Sequence, residues 1–194
     1  MRIGIDIDDT LTNIKDDVDC AALKYAQQLG KNINKNIDDF NNKIDGNSYQ
    51  KRYNFTYDEL KYFLKEIQEN ITKNATPRDY ARECISNLRK KGHQIYIITA
   101  RVSEFHDDPY KLSKDWLDKN NIEYDKIIVN ARKKAPICLS EKIDLFIDEQ
   151  IGNCIDISNF GIKVIRISDD KTIYENILTF NNWNSIYKYI NEME

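Results

Sequence analysis

Residues 2–7 place Ile3, Ile5 and Ile7 at alternate positions, the pattern of a short buried strand, and the acidic cluster Asp6, Asp8, Asp9 crowds its C-terminal end. After Thr12 the period lengthens. Ile14, Val18, Ala21, Tyr25 and Leu29 recur every three or four residues up to Gly30, which predicts an amphipathic helix over about 14–29. The stretch 31–56 is polar, rich in Asn, Lys and Asp, and predicts short helices and loops. A second helical stripe, Tyr57, Leu60, Leu64, Ile67 and Ile71, runs towards Pro77.

From residue 78 strands and helices alternate. Tyr80, Cys84, Ile85 and Leu88 predict a helix closing at Gly92, and Ile95–Ile98 a buried strand that ends at Thr99-Ala100-Arg101. Leu112, Trp116 and Leu117 lie on another helix, and 127–129 is a third strand. A short helix follows Lys133-Lys134, and 143–147 is a fourth strand ending in Asp148-Glu149. Gly161 precedes a fifth strand at 163–167, and 183–190 is a closing helix. This alternation implies parallel pairing with right-handed crossovers. The expected fold is therefore an α/β, doubly wound (Rossmann-like) parallel five-stranded sheet.

Ligands of such sheets bind outside the carboxyl ends of the strands. Polar side chains fall at those ends: Asp6 and Asp8, then Thr99 and Arg101, then Lys134, then Asp148 and Glu149. Side chains two apart on a strand point the same way, so Asp6 and Asp8 are expected to share one crevice while Asp9 points elsewhere. Two neighbouring carboxylates repel, and a fold retains them only where a cation, hydrogen bonds or a shifted pKa offsets the cost.

Composition narrows the partners. With 41% hydrophobic residues the 194-residue chain can build a core, and a net charge of -3 lacks the basic excess that nucleic-acid backbone binding requires. No apolar run approaches the roughly 20 residues of a membrane span. The acidic N-terminus does not resemble a secretory signal, so a cytoplasmic location is expected. Cys20, Cys84, Cys138 and Cys154 are scattered without a CxxC pair, which supports neither a zinc site nor a disulfide framework. Polymeric nucleic acid and membranes are not expected partners; a homodimer stays open.

The four groups of residues resemble the motifs of the haloacid dehalogenase (HAD) superfamily of phosphohydrolases. Asp6-Ile7-Asp8-Asp9-Thr10 resembles the first motif (DxDxT), Thr99 the second, Lys134 the third, and Ile147-Asp148-Glu149 the acidic fourth. The chain is most similar to the branch containing cytosolic 5′(3′)-deoxyribonucleotidases and bacterial nucleotidases. Its fourth motif departs from the Asp-Asp usual there. Lys134 is preferred to Lys133 because it stands ten residues before Asp144, a spacing similar to that of the bacterial relatives.

The resemblance implies an Mg²⁺-dependent phosphatase acting on a small phosphorylated metabolite, a nucleotide above all, through an aspartyl phosphate. Catalysis falls to Asp6 as nucleophile, Asp8 as acid and base, Thr99 and Lys134. Phosphate binding falls to Thr99, Ala100, Arg101 and Lys134, and metal binding to Asp6, Asp148 and the backbone carbonyl of Asp8. Arg101 either grips a phosphate or carboxylate with its fork or pairs with Glu104. Asp144, near the end of the sheet, is taken as structural. A sugar phosphate is the alternative substrate, and a non-catalytic binding module the alternative class.

A crossover needs only about 30 residues, yet 88 separate Thr10 from Thr99, against 34 between Thr99 and Lys134. A helical cap over 14–77, inserted after the first strand into a core of 1–13 and 78–194, accounts for the surplus. The cap has ten basic and ten acidic residues, so it offers no net steering. Its aromatics, Tyr49, Tyr53, Phe55, Tyr57, Tyr62 and Phe63, are expected mainly to pack its own small core, with stacking on a flat leaving group as the alternative.

Overall fold

The hydrophobic runs pair in parallel because each is followed by helical sequence that carries the chain back across one face of the sheet. In the computed structural model, which describes residues 1–34 and 48–193, the strands are β1 (Arg2–Ile5), β2 (Gln94–Ile98), β3 (Lys126–Ile128), β4 (Leu145–Asp148), β5 (Lys163–Ile167) and β6 (Ile177–Phe180). They form one parallel sheet of order β3-β2-β1-β4-β5-β6. The order reverses between β1 and β4, which opens a crevice at their carboxyl ends.

The sheet thus has six strands rather than the expected five. β6 is a short edge strand that follows Asn176, a residue in the left-handed region (φ 60°), and only Ile177 of its four residues is buried. That leaves too little alternation to reveal it in the sequence. The fourth strand also starts later than expected, at Leu145, because Ile143 N–H turns back to Cys138 O at 2.9 Å to close a helix. Asp144 accepts a 2.7 Å hydrogen bond from Arg2 N–H at the opposite end of β1, a structural role.

Helices cover both faces. On one side α5 (Ala81–Lys90), α6 (Pro109–Lys119) and α9 (Trp183–Glu192) bury Ile85, Leu88, Trp116, Trp183 and Ile186 against Ile3, Ile5 and Ile97. On the other, α7 (Lys134–Ser140) and α8 (Ile151–Ser158) pack Cys138, Cys154 and Ile157 on Phe146 and Val164. Gly4 matters to this second face. A Cβ there would lie 2.4 Å from Phe146 Cδ2, so only glycine lets that ring close over β1.

Between β1 and β2 the chain forms α1 (Lys15–Gln28), α2 (Ser48–Tyr53), α3 (Tyr57–Tyr62), a π-helical stretch Phe63–Gln68 and α4 (Glu69–Asn74). The short helices and loops expected over 31–56 include residues 35–47, which lie outside the described residues. Thr56 starts α3 with a capping box, its hydroxyl accepting from Glu59 N–H while the Glu59 carboxylate accepts from Thr56 N–H. Ile14, Val18, Ala22, Tyr53, Phe55, Leu60 and Phe63 form a separate buried cluster. Tyr53, Phe55 and Phe63 lie inside it with ring centroids 5.5–6.0 Å apart, so these aromatics do pack together, while Tyr57 and Tyr62 are exposed. Among the described residues no helix is long and apolar enough to cross a membrane.

Candidate active site

Parallel register sets Ile5 beside Ile147, and Asp6 N–H donates to Ile147 O at 3.1 Å, so Asp6 and Asp148 leave the sheet side by side. Lys134, the first residue of α7, reaches between them. Its Nζ lies 2.8 Å from Asp6 Oδ1 and 2.7 Å from Asp148 Oδ2. All three side chains are at most 7% exposed, so these contacts act with little solvent screening. The ammonium also sits 5.6 Å from the centre of the Phe146 ring that Gly4 admits. Of the adjacent lysines, Lys134 enters the site and Lys133 is exposed.

Glu149 supplies a third carboxylate. Thr10 Oγ1 donates to its Oε2 at 2.7 Å and accepts from its backbone N–H at 3.1 Å. Carboxylate oxygens of Asp6, Asp148 and Glu149 all lie within 4.8 Å of one another. Three formal negative charges therefore face the single positive charge of Lys134. Burial, then the charges of Asp148 and Asp8, push the Asp6 carboxyl up to about 7 even though Lys134 pulls it down. Burial, Asp148 and Asp6 likewise raise Glu149 well above the usual carboxylate range. Burial alone would lower Lys134, but Asp148 and Asp6 hold it protonated far above neutrality. An all-oxygen donor set with uncompensated negative charge suits a hard divalent cation.

Asp8 does not join this trio. β1 ends at Ile5 and Asp9 adopts φ 55°, so the alternation expected to aim Asp6 and Asp8 together stops before Asp8. Its carboxylate is instead gripped by Arg101, with Nε 3.0 Å from Oδ2 and Nη2 2.7 Å from Oδ1. Burial would raise Asp8, but the Arg101 guanidinium draws it below the usual value. Asp9 Oδ1 accepts from the N–H groups of Ile14 and Lys15 at 2.9 and 2.8 Å and so anchors the start of α1. The pairing of Arg101 with Glu104 does not form; Glu104 is bound by Arg132 and by Tyr57 Oη.

Thr99 is buried one residue beyond β2, and Ala100 after it is exposed. The segment after Arg101 meets the helices between β1 and β2 through Lys65 to Asp107 (2.7 Å), His106 to Glu69 (2.8 Å) and Tyr57 to Glu104 (2.9 Å). His106 is thus part of this contact.

Several supporting residues carried no sequence signal. Arg166 in β5 is buried and its Nε donates to Glu149 O at 3.1 Å. Trp183 Nε1 donates to Thr10 O at 3.0 Å, and Asn153 Nδ2 to Asp148 Oδ2 at 3.1 Å. A charged residue inside the apolar strand Val164-Ile165-Arg166-Ile167 is the one irregularity that could have marked Arg166.

No protein-family model matches the chain. The curated relative "Putative nucleotidase YqfW" of Bacillus subtilis is 29% identical over 196 residues, covering 98% of this chain and 94% of its own length. A predicted phosphatase from Clostridium acetobutylicum superposes with a TM-score of 0.70 at 15% identity, covering 98% of each chain. The HAD-hydrolase YfnB of Bacillus subtilis, whose crystal form is described as bound to magnesium, gives 0.61 at 14% identity over 98% of each chain. These structures establish the shared fold.

Proposed function

We propose that this chain, a phosphohydrolase of the haloacid dehalogenase superfamily, hydrolyses a small phosphate monoester, with a nucleoside 5′-monophosphate as the substrate class best supported. The observation that carries the reading is the meeting of Asp6, Lys134, Asp148 and Glu149 at the point where strand order reverses. The nucleotidase name of a relative spanning almost the whole chain supports the nucleotide.

In this reading an Asp6 oxygen attacks phosphorus and the bond to the leaving oxygen breaks, while the carboxylic acid form of Asp8 passes its proton to that oxygen. The negative charge of the arriving phosphate opposes ionisation of Asp8 and so counters the pull of Arg101. In the second half Asp8 takes a proton from water, the water oxygen attacks phosphorus, and the bond to Asp6 breaks. Orthophosphate departs and the Asp6 carboxylate is restored. Lys134 offsets charge on Asp6 and the phosphoryl oxygens, and the Thr99 hydroxyl and nearby backbone N–H groups donate to those oxygens.

Asp6, Asp148 and the carbonyl of Asp8, with Glu149 adjacent, would hold Mg²⁺, which supplies the positive charge that lets an anionic nucleophile approach an anionic ester. Residues 14–77 act as the cap over a core of 1–13 and 78–194; the separate apolar cluster of the described part supports that division. The protein works in the cytoplasm on a small metabolite, and polymeric nucleic acid, membranes and a second copy of the chain play no part in this reading. A panel of nucleoside monophosphates and sugar phosphates, assayed for Mg²⁺-dependent phosphate release, tests it: higher kcat/KM for the nucleotides is expected, and preference for sugar phosphates would move the substrate class.

A further inference from the structure

We propose that Arg101 is a positioning residue that aims Asp8 for proton transfer, its guanidinium fork committed to that carboxylate rather than to the phosphate of the substrate. The proposal rests on the reading of Asp8 as acid and base. Nothing in the backbone fixes the Asp8 side chain, since the strand has ended at Ile5 and Asp9 turns into the left-handed region. The fork does so instead, with one nitrogen on each carboxylate oxygen at 3.0 and 2.7 Å.

Arg101 is itself well anchored. Its side chain is 3% exposed and that of Asp8 29% exposed, so the arginine lies behind and the carboxylate presents an open edge. Nη1 donates to Ser113 Oγ at 3.3 Å, and that hydroxyl donates to Pro109 O at 2.8 Å in the first turn of α6. The Arg101 carbonyl accepts from Asn130 N–H at 2.9 Å, which ties the same residue to the loop after β3. Asp8 is therefore referenced to two further elements of the core, the arrangement that orientation-sensitive proton transfer needs. A phosphate could take the Nε–Nη2 edge of the fork only by displacing Asp8.

The test compares the wild type with Asp8→Asn, Arg101→Ala, Arg101→Lys and the Asp8→Asn/Arg101→Ala double variant on aryl phosphates of rising leaving-group basicity. Nitrophenolate departs without a proton, whereas a more basic phenolate needs one. Arg101→Ala should lose about 10²-fold in kcat/KM on phenyl phosphate and far less on nitrophenyl phosphate. The double variant should match Asp8→Asn, because the arginine acts through the aspartate. Inhibition by orthophosphate should be unchanged. Arg101→Lys keeps the charge without the fork. It should show the same leaving-group dependence, which keeps the test valid if the alanine variant does not fold.

A steep Asp8→Asn profile with equal Arg101→Ala losses on every ester, multiplying losses in the double variant, or weakened phosphate inhibition would overturn the proposal alone. A flat Asp8→Asn profile would overturn the acid assignment and the proposal with it.

Discussion

Lys134 donates to Asp148 over 2.7 Å with both side chains buried, and the same ammonium lies 2.8 Å from Asp6. It is the only cation among the described residues placed between these two carboxylates, so its removal leaves a buried negative cluster without compensation. Lys134→Ala should lower kcat by about 10²–10³-fold, the scale of losing one preorganised charge-stabilising group. It should also cost roughly 3–5 kcal/mol in urea denaturation at pH 8 without metal. A variant with wild-type kcat would show that the lysine is only structural.

The acidic trio makes stability depend on pH in a definite direction. Asp6 is held up to about 7, against an ordinary 3.8. Between these values the unfolded chain releases a proton that the folded chain keeps, so metal-free stability falls as pH rises. Glu149, also raised, adds to the fall, whereas Asp8, lowered, acts below this window. The melting temperature of the metal-free protein should thus decline from pH 5 to pH 8. Stabilisation by millimolar Mg²⁺ should be larger at pH 8, above the raised value of Asp6, than at pH 6. Equal stabilisation at both would argue against these residues as ligands.

Glu149 meets Thr10 through both its side chain and its backbone. Glu149→Ala should weaken Mg²⁺ activation about 10–100-fold, and Thr10→Val should produce a smaller loss of the same kind. Titration of activity against Mg²⁺ measures both. Unchanged activation in Glu149→Ala would mean that this carboxylate only supports the loop.

The aromatics between β1 and β2 divide by burial. Phe63 and Phe55 are sealed in the helical cluster, but Tyr49 is half-buried and donates to Asp19 Oδ1 at 3.1 Å. Burial, then Asp19, raises its hydroxyl above the ordinary range. Tyr49→Ala should raise KM for nucleotides more than for nitrophenyl phosphate. Equal effects on the two would count against stacking.

Most of the sheet was legible because its strands are apolar runs, several of them closed by chemistry-bearing residues, as at Ile95–Ile98 before Thr99. β6 was not, because an edge strand with one buried residue carries almost no period. α8 escaped for the opposite reason: Ile151, Cys154, Ile155 and Ile157 follow so closely on β4 that its helical stripe merged with the strand. Within the site, Asp6, Lys134 and Asp148 could be named from their strand ends. The grip of Arg101 on Asp8 could not, because it joins residues 93 apart in sequence. It depends on where a loop turns after Ile5, which no periodicity encodes.

If Asp6 is the nucleophile of a metal-dependent phosphatase, Mg²⁺-dependent phosphate release across a panel of monoesters should separate the wild type from Asp6→Asn. Turnover of at least one nucleoside monophosphate by the wild type is expected, with a loss of about 10³-fold or more in the variant and the fold retained. Wild-type rates in Asp6→Asn, or no release from any ester by the wild type, would contradict it.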